Sequence, residues 1–236
     1  MTYLEFEGRE LEVGKIVCLL RSYAAHAEEM GSEILEEPEF FLKPPTTIIR
    51  DGEDIVIPRE SKEVHHEVEL AVIIGKEGRF IPKEHAMEHV LGYAILIDVT
   101  ARDIQARAKK LGRPWTIAKG YDTFAPMSKI IPKGEIAEPH ALDIWLKVNG
   151  QTRQSSNTKM LLFPIGSIIE AISNVMTLEP GDIIATGTPE GVSQIRPGDK
   201  VEAGITGLGT LNVGVREQEE TNHLNKYPVG KLPVEK

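Results

Sequence analysis

The most informative part of the chain is a run of eleven residues, Val64-His65-His66-Glu67-Val68-Glu69-Leu70-Ala71-Val72-Ile73-Ile74. The run predicts a β-strand that carries two carboxylates two residues apart. Successive side chains on a strand point to opposite faces, so Glu67 and Glu69 are expected on the same face. Their Cα atoms would lie about 6.5–7 Å apart, which lets both carboxylates lean toward one small cation.

A third acid, Asp98, follows another apolar run, Leu91–Ile97. Three carboxylates without a thiol or an obligatory imidazole form a hard oxygen site, the kind that suits Mg²⁺ or Mn²⁺. The sequence therefore predicts that Glu67, Glu69 and Asp98 are metal ligands.

The alternative interpretation is a solvent-facing strand, because alternating charge usually marks the exposed side of a half-buried sheet. Here the face that carries the glutamates continues with Ala71 and Ile73, so it enters a core within one step. Acids at the edge of a core are costly unless they are paired or bound to a metal. The details of this strand therefore favour the metal site.

Length and composition exclude several classes of protein. The chain has 236 residues, 41% hydrophobic and 27% charged, which fits one large globular domain. No apolar run approaches the ~20 residues of a membrane helix, and the N-terminus lacks the pattern of a signal peptide. The net charge of −9 repels nucleic acid. The single cysteine, Cys18, lies in an apolar strand, so it is expected in the core of a cytoplasmic protein.

Many short strands, few helices and frequent glycine turns predict a mainly β fold of the α+β class. Helices are expected at Tyr23–Met30, with Ser22 as N-cap and Gly31 as the stop, at Ala101–Leu111, with Thr100 and Asp103 as a capping box, and after Phe163-Pro164. Extended segments are expected at Ile16–Leu20, Phe40–Ile49, Leu91–Asp98, Ala141–Val148, Ile183–Thr186, Val201–Ala203 and Thr210–Val215, with a hairpin turn at Asn149-Gly150. One main domain, residues 15–216, would follow a short segment, 1–14, and precede a polar tail, 217–236.

His26 and Glu29 are three residues apart on the first predicted helix, hence on one face. A carboxylate beside an imidazole fixes its tautomer and raises its basicity, which makes a general base for water. From the spacing alone, a surface histidine beside a surface glutamate is the more frequent arrangement.

Three further segments contain residues that could contact an anion. Lys119 has apolar or aromatic neighbours, so it either faces an anion from a half-buried position or extends to water. Arg102 and Gln105 lie three apart on the helix after Asp98, where Arg102 could bind a substrate carboxylate, although such residues are more often solvated. The loop 186–192 is rich in glycine, and its backbone N–H groups and the Thr188 hydroxyl could hold an anion.

Four motifs in this order resemble the fumarylacetoacetate hydrolase superfamily, closest to its small acylpyruvase and oxaloacetate decarboxylase branch. The motifs are His65-His66-Glu67-Val68-Glu69-Leu70, Asp98-Val99-Thr100-Ala101-Arg102-Asp103-Ile104-Gln105, Trp115-Thr116-Ile117-Ala118-Lys119-Gly120-Tyr121-Asp122-Thr123 and Thr186-Gly187-Thr188-Pro189-Glu190-Gly191-Val192. The resemblance runs from about Lys15 to Val215. It implies a mixed β-sandwich roll with short peripheral helices, and a homodimer.

The resemblance also implies a role for each site residue. Glu67, Glu69 and Asp98 would bind Mg²⁺ or Mn²⁺. His26 and Glu29 would activate water, with Lys119 as the third catalytic residue, and the substrate would be bound by Arg21, Arg102, Gln105 and Thr188. The chain departs from the family pattern at Arg21-Ser22-Tyr23, where relatives read Arg-Asn-Tyr, and at Asn157-Thr158-Lys159-Met160, where many relatives carry an acid.

The expected activity is a divalent-metal-dependent hydrolase that cleaves a carbon–carbon bond in small acylpyruvate-like 2,4-dioxo acids through a metal-stabilised enolate. The alternatives are decarboxylation of oxaloacetate and isomerisation or decarboxylation of 2-hydroxy-diene-dioates, which need the same enolate. A non-catalytic metal-binding or ligand-binding protein is a third possibility, and the presence of His26, Glu29 and Lys119 counts against it.

Overall fold

The computed structural model describes residues 1–29, 31 and 35–219. Their strands are β1 (Tyr3–Phe6), β2 (Arg9–Glu12), β3 (Ile16–Leu19), β4 (Phe40–Lys43), β5 (Ile48–Arg50), β6 (Asp54–Ile57), β7 (Val64–His65), β8 (Val68–Ile74), β9 (Val90–Ile97), β10 (Thr100–Ala101), β11 (Ala125–Met127), β12 (Ile131–Pro132), β13 (Asp143–Val148), β14 (Gln151–Asn157), β15 (Ile183–Ala185), β16 (Gln194–Ile195), β17 (Lys200–Ile205) and β18 (Gly209–Glu217). The helices are α1 (Ala24–Glu29), α2 (Arg102–Lys110), α3 (Thr116–Lys119) and α4 (Ile165–Val175). Short 3₁₀ turns lie at Pro45–Thr47, Ala86–His89, Lys133–Glu135 and Thr158–Met160.

Two large mixed sheets form the body of the protein. The first has the order β4-β3-β15-β8-β9-β11-β5, with β12 also pairing to β9, and the second has the order β14-β13-β17-β18-β6. A small sheet, β10-β7-β16, and the hairpin β1-β2 complete the pattern. The mainly β fold of the α+β class is therefore confirmed.

Strand β8 lies at the centre of the larger sheet, and all seven of its residues are buried. Val72 and its neighbours on one face share a core with Leu146 and Ala203 of the second sheet. Ala71 and Ile73, on the other face, pack in a separate cluster with Cys18, which is fully buried as expected. Each large apolar side chain buried this way contributes about 1.5–3 kcal/mol, so the strand that leads to the acids is firmly held.

The prediction of one continuous strand from Val64 to Ile74 is wrong. The run is divided into β7, which pairs with β10 and β16, and β8, which pairs with β9 and β15. His66 and Glu67 carry the chain from the small sheet to the large one. The break has a physical reason, because the backbone groups of these two residues make hydrogen bonds that do not belong to a strand pairing. The N–H of His66 donates to the carbonyl of Ser193 (3.3 Å), and the carbonyl of Glu67 accepts from the N–H of Asp98 (2.7 Å).

The capping box predicted for α2 is also wrong. The helix begins after Ala101, which makes no side-chain capping bond. The Thr100 hydroxyl donates to the carbonyl of Asp98 (3.1 Å), and Asp103 accepts from the Ser61 hydroxyl (2.6 Å). Both side chains therefore tie the start of α2 to neighbouring loops.

Two other local predictions differ from the structure. The extended segment Phe40–Ile49 is interrupted by the 3₁₀ turn Pro45–Thr47, which a proline can begin because its missing N–H would have no helical partner. The Ser22 hydroxyl donates to the carbonyl of Thr186, so it joins α1 to the glycine-rich loop.

The hairpin and the last helix were predicted correctly. Asn149 and Gly150 both have positive φ, 52° and 78°, as a two-residue hairpin turn requires. Helix α4 begins at Ile165 after Pro164, and the backbone N–H of Ile165 donates to Nε2 of His140 (3.0 Å). An imidazole thus satisfies one of the N–H groups that a helix start leaves without a partner.

Among the described residues, no helix is long and apolar enough to cross a membrane. The predicted end of the first helix at Met30 and most of the predicted tail, residues 220–236, lie outside the described part of the chain.

Candidate active site

Three acids come together where the chain passes from the small sheet, which contains β7, to the large sheet, which contains β8. Glu67, Glu69 and Asp98 are buried, and they offer carboxylate oxygens that all lie within 4.8 Å of one another. The pairing of β8 with β9 explains this convergence, because Val68 is aligned with Ile97 and the next residues on each side are Glu67 and Asp98. The predicted grouping is thus present, although the strand that was expected to produce it is broken.

Two of the three acids have cationic partners. Lys119 Nζ lies 2.8 Å from Oε2 of Glu67 and 2.5 Å from Oδ2 of Asp98. Lys43 Nζ lies 2.6 Å from Oδ1 of Asp98, and Arg102 donates to Oε1 of Glu67. Each of these two carboxylates is therefore bridged by two cations inside the protein.

These contacts set the charge states. Burial alone would raise the pKa of Glu67, but Lys119 and Arg102 outweigh it and hold the pKa well below its usual range. Burial alone would lower the pKa of Lys119, but Asp98 and Glu67 raise it to about 12. Lys119 consequently remains an ammonium group at neutral pH, which suits it to stabilise negative charge and prevents it from acting as a base.

Glu69 is different from its two neighbours. It accepts a hydrogen bond from the backbone N–H of Gly187 (2.7 Å), and no lysine or arginine of the described residues forms an ion pair with it. Burial and the nearby charges of Asp98 and Glu67 raise its pKa well above the usual value. A cation at this cluster would supply the missing charge, and three carboxylates are the donors that Mg²⁺ or Mn²⁺ prefers. The residues present therefore fit a divalent cation.

His26 and Glu29 lie together on α1, as their spacing predicted. Nδ1 of His26 is 3.3 Å from Oε2 of Glu29, and the histidine is 8% exposed. Both oxygens of Glu29 also accept from the backbone N–H of Gly191, each at 3.1 Å. Glu29 therefore has two contacts, one that orients the imidazole and one that holds α1 against the glycine-rich loop.

The glycine-rich loop needs glycine at Gly187. Its φ is +93°, and a Cβ there would overlap the side chain of Ser22. Thr188, one residue on, lines the pocket, and its hydroxyl accepts from Nε2 of Gln154 (2.8 Å). The loop thus presents one N–H to Glu69 and one hydroxyl to the pocket.

Gln154 is fully buried and uses its whole amide. Its Oε1 accepts from the backbone N–H of Val68 (3.1 Å) and from Nδ1 of His66 (2.9 Å), and its Nε2 donates to Thr188 and to the carbonyl of Pro189 (2.8 Å). Because Val68 N can only donate and Pro189 O can only accept, the amide orientation is fixed, and His66 must carry its proton on Nδ1. Burial lowers the pKa of His66 to about 4, so this imidazole is neutral at neutral pH.

Arg102 is oriented by three acceptors. Its guanidinium donates to Glu67, to Oε1 of Gln105 (2.8 Å) and to Nδ1 of His65 (3.4 Å). The Nε2 of His65 in turn donates to Oε1 of Glu63 (3.0 Å). Arg102 and Gln105 therefore point toward the acids and are not on the solvated side of α2.

Most of the predicted site residues open onto one cleft, with a volume of about 460 Å³. Its walls are Leu19, Leu20, Arg21, His26, Phe41, Glu67, Glu69, Arg102, Gln105, Lys109, Trp115, Lys119 and Thr188. Of the residues predicted for the site, the structure brings to this wall every one except Asp98, which lies behind it, and Glu29, which contacts His26 from outside. The cleft is small and is lined by charged and polar side chains together with two aromatic rings, which suits a small anionic molecule.

Comparison with known proteins agrees with the four motifs found in the sequence. The family described as fumarylacetoacetate (FAA) hydrolase C-terminal matches residues 15–216. The chain belongs to the fumarylacetoacetate hydrolase family. The resemblance found in the four motifs is therefore confirmed.

Relatives in this family carry several activities. The mitochondrial oxaloacetate tautomerase of Arabidopsis thaliana is 48% identical over 204 residues, which are 86% of this chain and 92% of that protein. The mitochondrial oxaloacetate decarboxylase of Dictyostelium discoideum is 49% identical over 197 residues, 83% of this chain and 90% of that one. The crystal structure of fumarylpyruvate hydrolase from Pseudomonas aeruginosa, in complex with Mn²⁺ and pyruvate, superposes with a TM-score of 0.88 at 37% identity and covers 92% of this chain and 96% of its own.

Sequence reasoning missed three residues of the acid cluster and the cleft. Lys43 is the last residue of β4 and precedes two prolines. Nothing in the neighbouring sequence indicates that this lysine is buried or that it lies next to an acid cluster. Gln154 lies in a polar hairpin strand whose other residues are largely exposed. Lys109 did have a signal, because it lies four residues after Gln105 and seven after Arg102 on one helical face.

Proposed function

We propose that the protein is a divalent-metal-dependent enzyme that moves a proton between the enol and keto forms of a small 2-oxo acid, with oxaloacetate as the first candidate substrate. The observation that carries the proposal is the buried cluster of Glu67, Glu69 and Asp98 with the protonated Lys119 bound to it and His26 lining the same cleft. The tautomerase and decarboxylase names of relatives nearly half identical to this chain support it.

A divalent cation, Mg²⁺ or Mn²⁺, would be held by Glu67, Glu69 and Asp98 and would act as a Lewis acid toward the oxygens of a 2-oxo acid. The protein's own groups supply the rest. Lys119 keeps its positive charge beside the acids and stabilises the negative charge of an enolate. Arg102, which three acceptors hold in one orientation, places a second positive charge beside the same acids.

We assign the proton transfer to His26, the histidine on the cleft wall, because Lys119 is held in its charged form. In the tautomerase reaction one proton leaves the enol oxygen and one is added to the adjacent carbon. No water is consumed, and no carbon–carbon bond breaks. The reaction needs one proton relay and one anion-stabilising region, and the site has both.

Hydrolysis of acylpyruvate-like 2,4-dioxo acids is the second candidate, and the contact between His26 and Glu29 favours it. Oε2 of Glu29 lies 3.3 Å from Nδ1 of His26 and orients the imidazole, and an oriented imidazole is what a general base for water requires. Decarboxylation of oxaloacetate uses the same enolate and is a third outcome of the same assays.

The test is a panel of three assays on the purified protein with Mg²⁺, with Mn²⁺ and with a chelator. Enol oxaloacetate is followed by its ultraviolet absorbance, pyruvate release from oxaloacetate by a coupled reductase, and acetylpyruvate cleavage by pyruvate and acetate together. The proposal expects metal-dependent loss of the enol that is faster than pyruvate release from either substrate. Acetylpyruvate cleavage faster than enol conversion would assign the protein to the hydrolases, and turnover unaffected by the chelator would overturn the metal role.

Glu29→Gln separates the first two candidates within one site. If water must be activated, this change impairs acylpyruvate hydrolysis far more than enol conversion, because it removes the charge that orients His26 and leaves the acid cluster intact. Equal loss of both activities would mean that Glu29 acts mainly through its bond to Gly191, by holding α1 in place.

A further inference from the structure

One face of α2 is directed toward the cleft. Arg102, Gln105 and Lys109 follow each other at spacings of three and four residues, and all three line the cleft. Arg107 and Lys110, on the same helix, do not. Lys109 is in the last turn of α2, seven residues after Arg102, so its backbone lies about 10 Å farther along the helix axis.

The ammonium group of Lys109 packs on the ring of Trp115. Its Nζ lies 5.1 Å from the centre of the Trp115 ring, and Trp115 meets Phe41 edge to face at 5.7 Å between ring centres. Both rings belong to the wall of the cleft. A cation–π contact of this kind orients an ammonium group and leaves its N–H donors available to an anion.

The cleft has more cations than carboxylates. Arg21, Arg102, Lys109 and Lys119 line it, against Glu67 and Glu69. Lys119 and Arg102 are engaged with the acids. Among the described residues, neither Arg21 nor Lys109 forms an ion pair with a carboxylate.

The positive charges of Arg21 and Lys109 repel each other. Burial, then Arg102, then Arg21 lower the pKa of Lys109. Arg21 itself has a φ of +49°, a conformation that costs a non-glycine residue energy and that tends to persist where function requires it. An anion bound between Arg21 and Lys109 would relieve their repulsion.

We propose that Lys109, placed by Trp115 and assisted by Arg21, binds the second carboxylate of a 2-oxo dicarboxylic acid and thereby makes the enzyme prefer diacids to monoacids. The assignment rests on the proposed function, since it presumes that the 2-oxo end of the substrate lies at the acid cluster. Lys109 is then a specificity-determining residue, and the cleft has an anion-binding position at each end.

The test compares two substrates that undergo the same enol chemistry, oxaloacetate with two carboxylates and acetylpyruvate with one. Lys109→Gln should raise the ratio of the KM for oxaloacetate to the KM for acetylpyruvate roughly tenfold, the usual effect of losing one hydrogen bond between charged groups, with kcat for oxaloacetate changed much less. Lys109→Arg keeps the charge and should restore most of the ratio. Lys110→Gln is the matched control, because it removes a neighbouring charge outside the cleft and should leave the ratio unchanged.

A binding measurement provides a second readout that needs no turnover. With Mg²⁺ present, calorimetry compares 3,3-difluorooxaloacetate, which keeps both carboxylates and cannot enolise, with oxalate, which spans only the 2-oxo end. Lys109→Gln should raise the ratio of their dissociation constants by the same factor as the KM ratio.

The outcomes separate this proposal from the one on which it rests. An unmutated protein that converts no 2-oxo acid overturns the proposed function. An unmutated protein that converts oxaloacetate, together with a Lys109→Gln variant whose two ratios stay within twofold of the parent, overturns the role of Lys109 alone. Lys110→Gln shifting the ratios as much as Lys109→Gln would show a general charge effect and would also overturn it.

Discussion

Replacing Lys119 by methionine should destabilise the protein strongly, and a divalent cation should reverse part of the loss. Lys119 is 2% exposed and bridges Glu67 and Asp98 at 2.8 and 2.5 Å. Removing one partner of a buried ion pair typically costs about 3–5 kcal/mol, because a buried charge loses its compensation. Glu67 keeps Arg102 and Asp98 keeps Lys43, so we expect the lower end, about 3 kcal/mol.

The assay is thermal unfolding with a chelator and with Mg²⁺. For a domain of this size, about 3 kcal/mol corresponds to a fall in Tm of roughly 6–12 °C. Because the variant leaves the cluster with one more uncompensated negative charge, Mg²⁺ should raise its Tm by more than it raises the Tm of the parent.

Glu69→Gln is the matched comparison within the same cluster. Glu69 has no cationic partner among the described residues, so replacing it by a neutral glutamine should leave the Tm in chelator unchanged or raise it. The same change should reduce the rise in Tm that Mg²⁺ causes. A Lys119→Met variant as stable as the parent in chelator would refute the charge assignment of the cluster. A loss of equal size in Glu69→Gln would refute it as well.

Three other outcomes follow from the structure. Glu67→Gln combined with Asp98→Asn should abolish Mg²⁺ binding, measured by calorimetry at a temperature where circular dichroism shows the variant to be folded; unchanged affinity would exclude these acids as ligands. His26→Ala should lower turnover by roughly 10²–10⁴-fold with little change in metal affinity, the usual share of a general base, and normal turnover would exclude its role. Burial lowers the pKa of His140, whose Nε2 accepts from Ile165 N, so protonation favours the unfolded chain. Its contribution to stability should be complete above the ordinary pKa of 6.5 and lost as the pH falls below it, and His140→Asn should flatten that part of the stability profile measured by denaturant titration.

The sequence predicted which site residues lie close together better than it predicted the local backbone. Glu67, Glu69 and Asp98 could be grouped because acids beside apolar runs are rare without a partner, and His26 and Glu29 because a helix fixes which residues share a face. The break at residues 66–67 was not predictable, since it depends on which distant strands pair with each half of the run. Strand register is set by contacts far apart in the chain, and a local pattern does not contain them.

Lys43 and Gln154 were missed for a related reason. Each lies in a segment whose composition is ordinary, and each acquires its role only when another strand brings Asp98 or His66 beside it. The boundaries at residues 1–14, 15–216 and 217–236, the homodimer and the cytoplasmic location stay predictions.

The amide of Gln154 limits which residue this position can hold. Its four hydrogen bonds join the break between β7 and β8, where Glu67 lies, to the loop that contains Thr188. Two of these bonds are made with backbone groups, one of which can only donate and the other only accept. Glutamate has the same size but lacks both donors, methionine has neither donor nor acceptor, and asparagine is one methylene shorter. A position in an unremarkable hairpin strand therefore tolerates a single amino acid, for reasons of bonding valence and not of volume.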